Sequence, residues 1–360
     1  MWYIVNIVQF RILNLTYYNI TNLEVIGYVI IIIATLLGTL ISVAYYTLFE
    51  RKVLAAMQRR RGPNIVGFFG ILQPLADGLK LMSKEGIVPI LSVYTVYLIA
   101  PILSIIISFM GWTVLPIFYE NSNYVNSDFD ILIFFCLTAL GSYGVVLAGW
   151  GSFSRYAVMG ALRAIAQLIS YEIIFLITML PGILFVGSFN FMDYTHVQAN
   201  AVWLIFPTLP SSIIFYILML AETNRTPFDL PEAEAELVSG FNVEYSSILF
   251  AMFSLSEYNS MLLMSTLYVV IFLGAWAEGV ILFVIKVIFI AFSIIKMRAA
   301  LPRYRYDQLM FLCWYIFLPL SLSLLIFTYG IVQYFNINVY NPAELLFEIS
   351  IKYKDDLYNL

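Results

Sequence analysis

Apolar and polar positions alternate along this chain on the scale of whole membrane thicknesses. Eight stretches reach the roughly 20 apolar residues that a helix needs to cross a bilayer. They are 25–49, 90–118, 131–153, 164–186, 202–221, 246–273, 275–295 and 311–334. One connection carries a finer pattern. From 70 to 85, Ile71, Leu72, Leu75, Leu79 and Met82 recur at helical spacing on one face, and Gln73, Asp77, Lys80 and Lys84 on another. That pattern predicts an amphipathic helix lying in the membrane interface, reached through a turn-rich corner at Gly62, Pro63, Asn64 and Gly67. The expected fold class is therefore all-α, a polytopic membrane helix bundle of about eight transmembrane helices plus one amphipathic interfacial helix. It forms a single membrane domain over 25–334, between an N-terminal extension at 1–24 and a C-terminal tail at 335–360.

Composition agrees: 62% of the 360 residues are hydrophobic and 11% charged, where soluble domains carry about 25% charged residues. Mean hydropathy is +0.90. The net charge of -4 comes from clusters between apolar runs, with no basic stripe interleaved with aromatics, so no nucleic-acid partner is expected. The basic residues orient the bundle. Fourteen of the 18 lysines and arginines, from Arg51 to Arg305, fall in or beside the connections that follow odd-numbered spans. The positive-inside rule puts those connections on the cytoplasmic or matrix side, with both termini opposite. The amino terminus has neither the build of a secretory signal nor an Arg-rich transit peptide, so the first span is expected to direct insertion.

The acidic connection 222–245 lies on that same side. It brings Glu222, Asp229, Glu232, Glu234 and Glu236 together around Arg225, with Glu244 near its end. A charge withdrawn from water without partners costs several kcal/mol or neutralises, so acids this dense are expected to share protons. Locally, Asp229 is placed to cap a helix opening at Pro231, with Glu232 and Glu234 at its positive end. Further ionisable groups sit inside spans: Glu172, Glu257, Glu278 and Lys286. Such groups mark a polar path or bond neighbouring helices. Glu278 and Lys286, eight residues apart in the seventh run, are expected on one helix face but out of contact.

Several chemistries are excluded. Cys136 and Cys313 lie far apart in apolar runs, and the single histidine, His196, stands beside Asp193 in what reads as a short polar connection. No zinc or iron–sulfur site can be built from that set alone. No glycine-rich nucleotide loop is present either. No internal repeat or paired broken helix points to an inverted-repeat carrier.

Five motifs carry a family resemblance. They are Glu50-Arg51-Lys52 running on to Gln58-Arg59-Arg60-Arg61-Gly62-Pro63-Asn64, Leu72-Gln73-Pro74-Leu75-Ala76-Asp77, Ile169-Ser170-Tyr171-Glu172, the stretch 221–245 almost unbroken, and Pro302-Arg303-Tyr304-Arg305-Tyr306-Asp307-Gln308-Leu309-Met310. On these the chain resembles subunit 1 of the proton-pumping NADH:ubiquinone oxidoreductases, the respiratory complex I family, over nearly all of 25–320.

The resemblance implies a core membrane subunit at the junction with the redox arm, part of an enzyme and not catalytic alone. It implies a quinone-access tunnel near Ala55, Met57, Gln58, Arg61, Arg225 and Phe241. It also implies a proton link through Glu172, Glu222, Asp229, Glu232, Glu234, Glu236, Glu244, Glu257 and Lys286. Ubiquinone would be the substrate, with NADH, FMN and iron–sulfur clusters held by partner subunits and no cofactor or metal bound by this chain. The implied partners are quinone-site redox-arm subunits, antiporter-like membrane subunits and lipid. Composition and the missing cleavable signal favour the mitochondrial inner membrane over a bacterial plasma membrane. Two other readings fit the same residues: the homologous subunit of a membrane-bound hydrogenase or chloroplast relative, and a free-standing ion channel or carrier.

Overall fold

The computed structural model describes residues 22–116, 128–200, 202–230 and 240–335, with side chains from Ile33 onward. Among these residues ten helices follow one another: α1 (Asn22–Met57), α2 (Gln73–Ser83), α3 (Tyr94–Val114), α4 (Asp130–Ser152), α5 (Arg155–Val186), α6 (Phe191–Asn200), α7 (Leu209–Glu222), α8 (Ser247–Phe272), α9 (Val280–Ala300) and α10 (Tyr306–Tyr334). Seven are long and apolar enough to cross a membrane; α7 is apolar but has only 14 residues. The N-terminal extension up to 21, the tail beyond 335 and the acidic stretch 231–239 fall outside the described residues. The helix expected to open at Pro231 falls there too.

Helix ends depart from the hydropathy runs for local reasons. α1 continues past residue 49 because the charges that end the apolar run are paired: Glu50 with Arg298, and Arg51 with Asp77 at 2.6 Å. α5 opens at Arg155, well before the apolar run at 164, because the Ser154 hydroxyl accepts from the Ala157 amide. Pro207 and Pro210 delay α7 to Leu209, since neither ring fits a helix interior. Gly279, at φ 112°, holds a turn that delays α9 to Val280. In α10 the Leu318 amide reaches back to the Cys313 carbonyl, a π turn just ahead of Pro319, whose missing N–H would break α-helical bonding there. α6 occupies the stretch read as a polar connection. Its Phe191, Met192 and Tyr194 are buried while His196 faces outward.

α8 is the central post. Every residue from Leu263 to Phe272 is buried, as expected of a helix apolar on all sides. Against it packs Phe215 of α7, edge-on to Phe272 of α8 at 5.2 Å and stacked on Phe175 of α5 at 4.4 Å. α2 lies outside this core with no buried residue. The Leu81 carbonyl of α2 and the Lys84 carbonyl just beyond it accept from the Ser247 hydroxyl at the start of α8. The corner before α2 requires a glycine. Gly70 has φ +76°, and a Cβ there would come within 2.4 Å of the Pro63 carbonyl oxygen.

Candidate functional site: a polar cavity at the basic end

The arginine-rich ends of the helices gather on one side of the bundle, called here the basic end. Three ion pairs tie it together. Glu50 of α1, 4% exposed, pairs with Arg298 of α9. Arg303 donates to Asp229 at 2.8 Å. Arg225, 7% exposed, has its guanidinium 3.9 Å from Glu257 and 4.8 Å from the Tyr258 ring centre. Breaking a buried pair by removing one partner is costlier than the pair itself is stabilising. The last two pairs hold the connection after α7 in place, and the first ties α1 to α9.

Neutral bonds fix the rest of that connection. The Gln167 amide of α5 donates to the carbonyls of Ala221 and Phe228, both at 2.9 Å. The Tyr304 amide donates to the Pro227 carbonyl at 3.1 Å, and its ring stacks on Phe228. After the undescribed stretch the chain returns at Gly240, whose Cα lies 2.8 Å from where a Cβ on Gly160 would stand. That close approach needs glycine and seats Phe241 against α5. Tyr97 then donates to the Glu244 carbonyl at 2.8 Å while Tyr245 donates to the Tyr97 carbonyl at 3.3 Å, the two rings stacked at 4.3 Å. Burial pushes the Tyr245 phenol up, so it stays a neutral donor.

Inside this frame a cavity of about 130 Å³ opens between α3, α4, α5 and α8. Glu222 enters it from the end of α7, Asn224 and Phe241 from the connection, and Glu257 from α8. Its remaining polar lining comes in three pairs, Ser104 with Ser108, Thr138 with Ser142, and Ser256 with Ser260. Each pair is spaced i, i+4 and so shows two hydroxyls on one helix face. Each hydroxyl donates to the carbonyl three residues back, leaving its oxygen lone pairs toward the cavity. Glu172 is close enough to Glu222 for their charges to interact. Two carboxyls on one hydroxyl-lined space, with a third nearby, can take up and pass protons as a coupled set.

The residues expected to act together divide. Glu222, Glu257 and Phe241 meet at the cavity, with Glu172 beside Glu222 and Arg225 against Glu257. Asp229 is engaged by Arg303, and Glu244 is held through its backbone. Ala55 is buried in α1, whereas Met57, Gln58 and Arg61 are exposed at and beyond its end and do not line the cavity. Glu232, Glu234 and Glu236 lie outside the described residues. Lys286 is elsewhere: Arg298 at the basic end is 12 residues further along α9, about 18 Å by helical rise. It also contacts Glu278, at 3.0 Å, contrary to expectation. The helix starts at Val280, so Glu278 sits in the preceding turn and its side chain folds back along α9.

Glu50, Arg298, Asn224 and the hydroxyl pairs add to the set that the sequence singles out. Among the described residues no group of three histidine, cysteine, aspartate or glutamate side chains is placed to hold a metal. Cys136 is exposed on α4 and Cys313 buried in α10, so the donor set does not fit an iron–sulfur cluster.

The bundle defines a multi-pass helical membrane protein with a polar cavity onto which Glu222 and Glu257 open. A family model described as NADH dehydrogenase matches residues 29–329, and the chain belongs to that family. It is 46% identical over 316 residues to the NADH-ubiquinone oxidoreductase chain 1 of Chondrus crispus, covering 85% of this chain and 96% of that one. It is 47% identical to the chain 1 of Arabidopsis thaliana, covering 84% and 96%. Against an NADH-quinone oxidoreductase subunit from Rhodospirillum rubrum it is 45% identical, covering 84% and 93%.

Proposed function

We propose that this chain is the membrane subunit of a proton-translocating NADH:ubiquinone oxidoreductase, and that it couples quinone reduction to proton movement through the Glu222–Glu257 cavity. Reduction of a quinone to quinol takes up two electrons and two protons. A coupled carboxyl set close by can supply those protons or respond to the charge change. Arg225, which keeps its charge at any working pH, stands 3.9 Å from Glu257 as a fixed counter-charge. The headgroup is reached from lipid along the basic end of α1, α2 and the start of α8, past Ala55, Met57, Gln58 and Arg61 toward Arg225 and Phe241. Electrons arrive from an iron–sulfur partner subunit, and the proton link continues into antiporter-like subunits. Glu172, Asp229, Glu232, Glu234, Glu236 and Glu244 complete the acidic set on this side. The reading places the chain in the mitochondrial inner membrane, its acidic connection on the matrix side.

The observation that carries this reading is the opening of Glu222 and Glu257 onto one cavity, with Arg225 buried against the second. The test is Arg225→Ala in the assembled complex. Quinone reductase turnover is expected to fall about tenfold while iron–sulfur and antiporter-like subunits still co-purify. Normal turnover, or a chain that purifies only as a homo-oligomer, overturns it.

A further inference from the structure

A helix ends with carbonyls that have no partner within it. At the end of α8 away from the acidic connection, two side chains from other elements meet them. Gln198 of α6 donates to Val270 and Ile271, both at 3.0 Å, and its own oxygen accepts from the Gly274 amide at 2.8 Å. Lys286 of α9 donates to the Leu273 carbonyl at 2.7 Å, pairs with Glu278 at 3.0 Å and stands 4.4 Å over the Trp203 ring. Its side chain is only 13% exposed. An ammonium has three donors and no acceptor, and cations are favoured at a helix C-terminus. The site therefore suits a cation held in place, and nothing in these contacts leads toward the cavity. Glu257 is 16 residues back along the chain from Leu273, about 24 Å by helical rise.

We propose that Lys286 is a positioning residue: it straps the end of α8 to α9 and to the Trp203 segment, holding Ser256, Glu257 and Ser260 in register on the cavity, and it does not carry protons. The functional half of this statement rests on the cavity reading above; the strap itself does not. The strap and a proton relay respond oppositely to arginine, which spans the same acceptors and stacks on the same ring but does not release a proton at working pH.

The experiment uses the assembled complex, comparing Lys286→Arg with Lys286→Met. Amide hydrogen exchange over 270–279 and protons translocated per NADH oxidised are both read. With Lys286→Met, exchange in that stretch is expected to rise about tenfold and turnover to fall about threefold. With Lys286→Arg, exchange and proton stoichiometry should match the parent. Should Lys286→Met fail to assemble, Glu278→Gln, which keeps the Leu273 bond, is expected to raise the same exchange about threefold. Unchanged exchange in either neutralised variant removes the strap. A lowered stoichiometry in Lys286→Arg with exchange intact makes Lys286 a proton carrier and overturns the proposal. Normal turnover in Arg225→Ala would defeat the cavity reading while leaving the exchange comparison standing.

Discussion

Both ends of α8 meet buried, well-bonded polar groups on neighbouring elements, but the two sets differ in chemistry. At the basic end the buried groups are ionisable: Glu50, Arg225 and Asp229 among them, beside a cavity that two carboxyls share. At the far end the hub is a neutral amide, with the Lys286–Glu278 pair at its edge and neither of them lining the cavity. Gln198, 3% exposed, engages five backbone groups, those of Tyr194, Leu204, Val270, Ile271 and Gly274. Buried polarity alone therefore does not mark a working site. A satisfied amide rigidifies, whereas carboxyls facing an open space can change protonation without breaking the frame around them.

Substitutions can break this contrast. The largest effect is expected for Glu222→Gln, which keeps the shape of the side chain and removes its proton chemistry. Quinone reductase turnover should drop by at least about tenfold, with the thermal unfolding midpoint of the complex unmoved; a shifted midpoint would make Glu222 structural. Gln198→Leu should do the reverse. It strands buried backbone groups at a cost of about 3 kcal/mol, lowering the unfolding midpoint by several degrees and turnover only two- to threefold. Gly160→Ala sharpens the boundary between the two cases. The added methyl meets the Gly240 backbone at 2.8 Å, so Phe241 must move from the cavity wall. A destabilisation of about 1–3 kcal/mol and a several-fold loss of turnover are expected together. The smallest effect belongs to Tyr97→Phe, which loses the bond to the Glu244 carbonyl but keeps the stack on Tyr245. About 1 kcal/mol in a denaturation midpoint, with near-normal turnover, is the expected result.

The membrane class and the acids are legible in the chain because a charge inside an apolar run is conspicuous and expensive. Glu172, Glu257 and the acidic connection stand out for that reason alone. The hydroxyl pairs are not legible, although their i, i+4 spacing is a real signal. Serine and threonine satisfy themselves on the preceding turn, so hydropathy hardly registers them. Glu50 is visible within a motif, but its partner Arg298 is 248 residues away, and no local pattern joins the two. α6 reads as a connection because Asp193, His196 and Asn200 dominate its composition, while the face that docks is carried by Phe191, Met192 and Tyr194. A continuous helix would keep Lys286 and Glu278 apart, and Gly279 breaks it.

The shortness of α7 has an electrical consequence. Its 14 residues cover about 21 Å of a hydrocarbon core roughly 30 Å thick. A helix that short leaves about a third of the core uncrossed, and to the extent that the gap falls at its Glu222 end the acid lies within the transmembrane field. One charge crossing the full drop is worth about 2.3 kcal/mol per 100 mV, so protonating a side chain a third of the way in shifts by about 0.8 kcal/mol per 100 mV. An energised membrane therefore presses back, gently and continuously, on the acid proposed to answer the quinone.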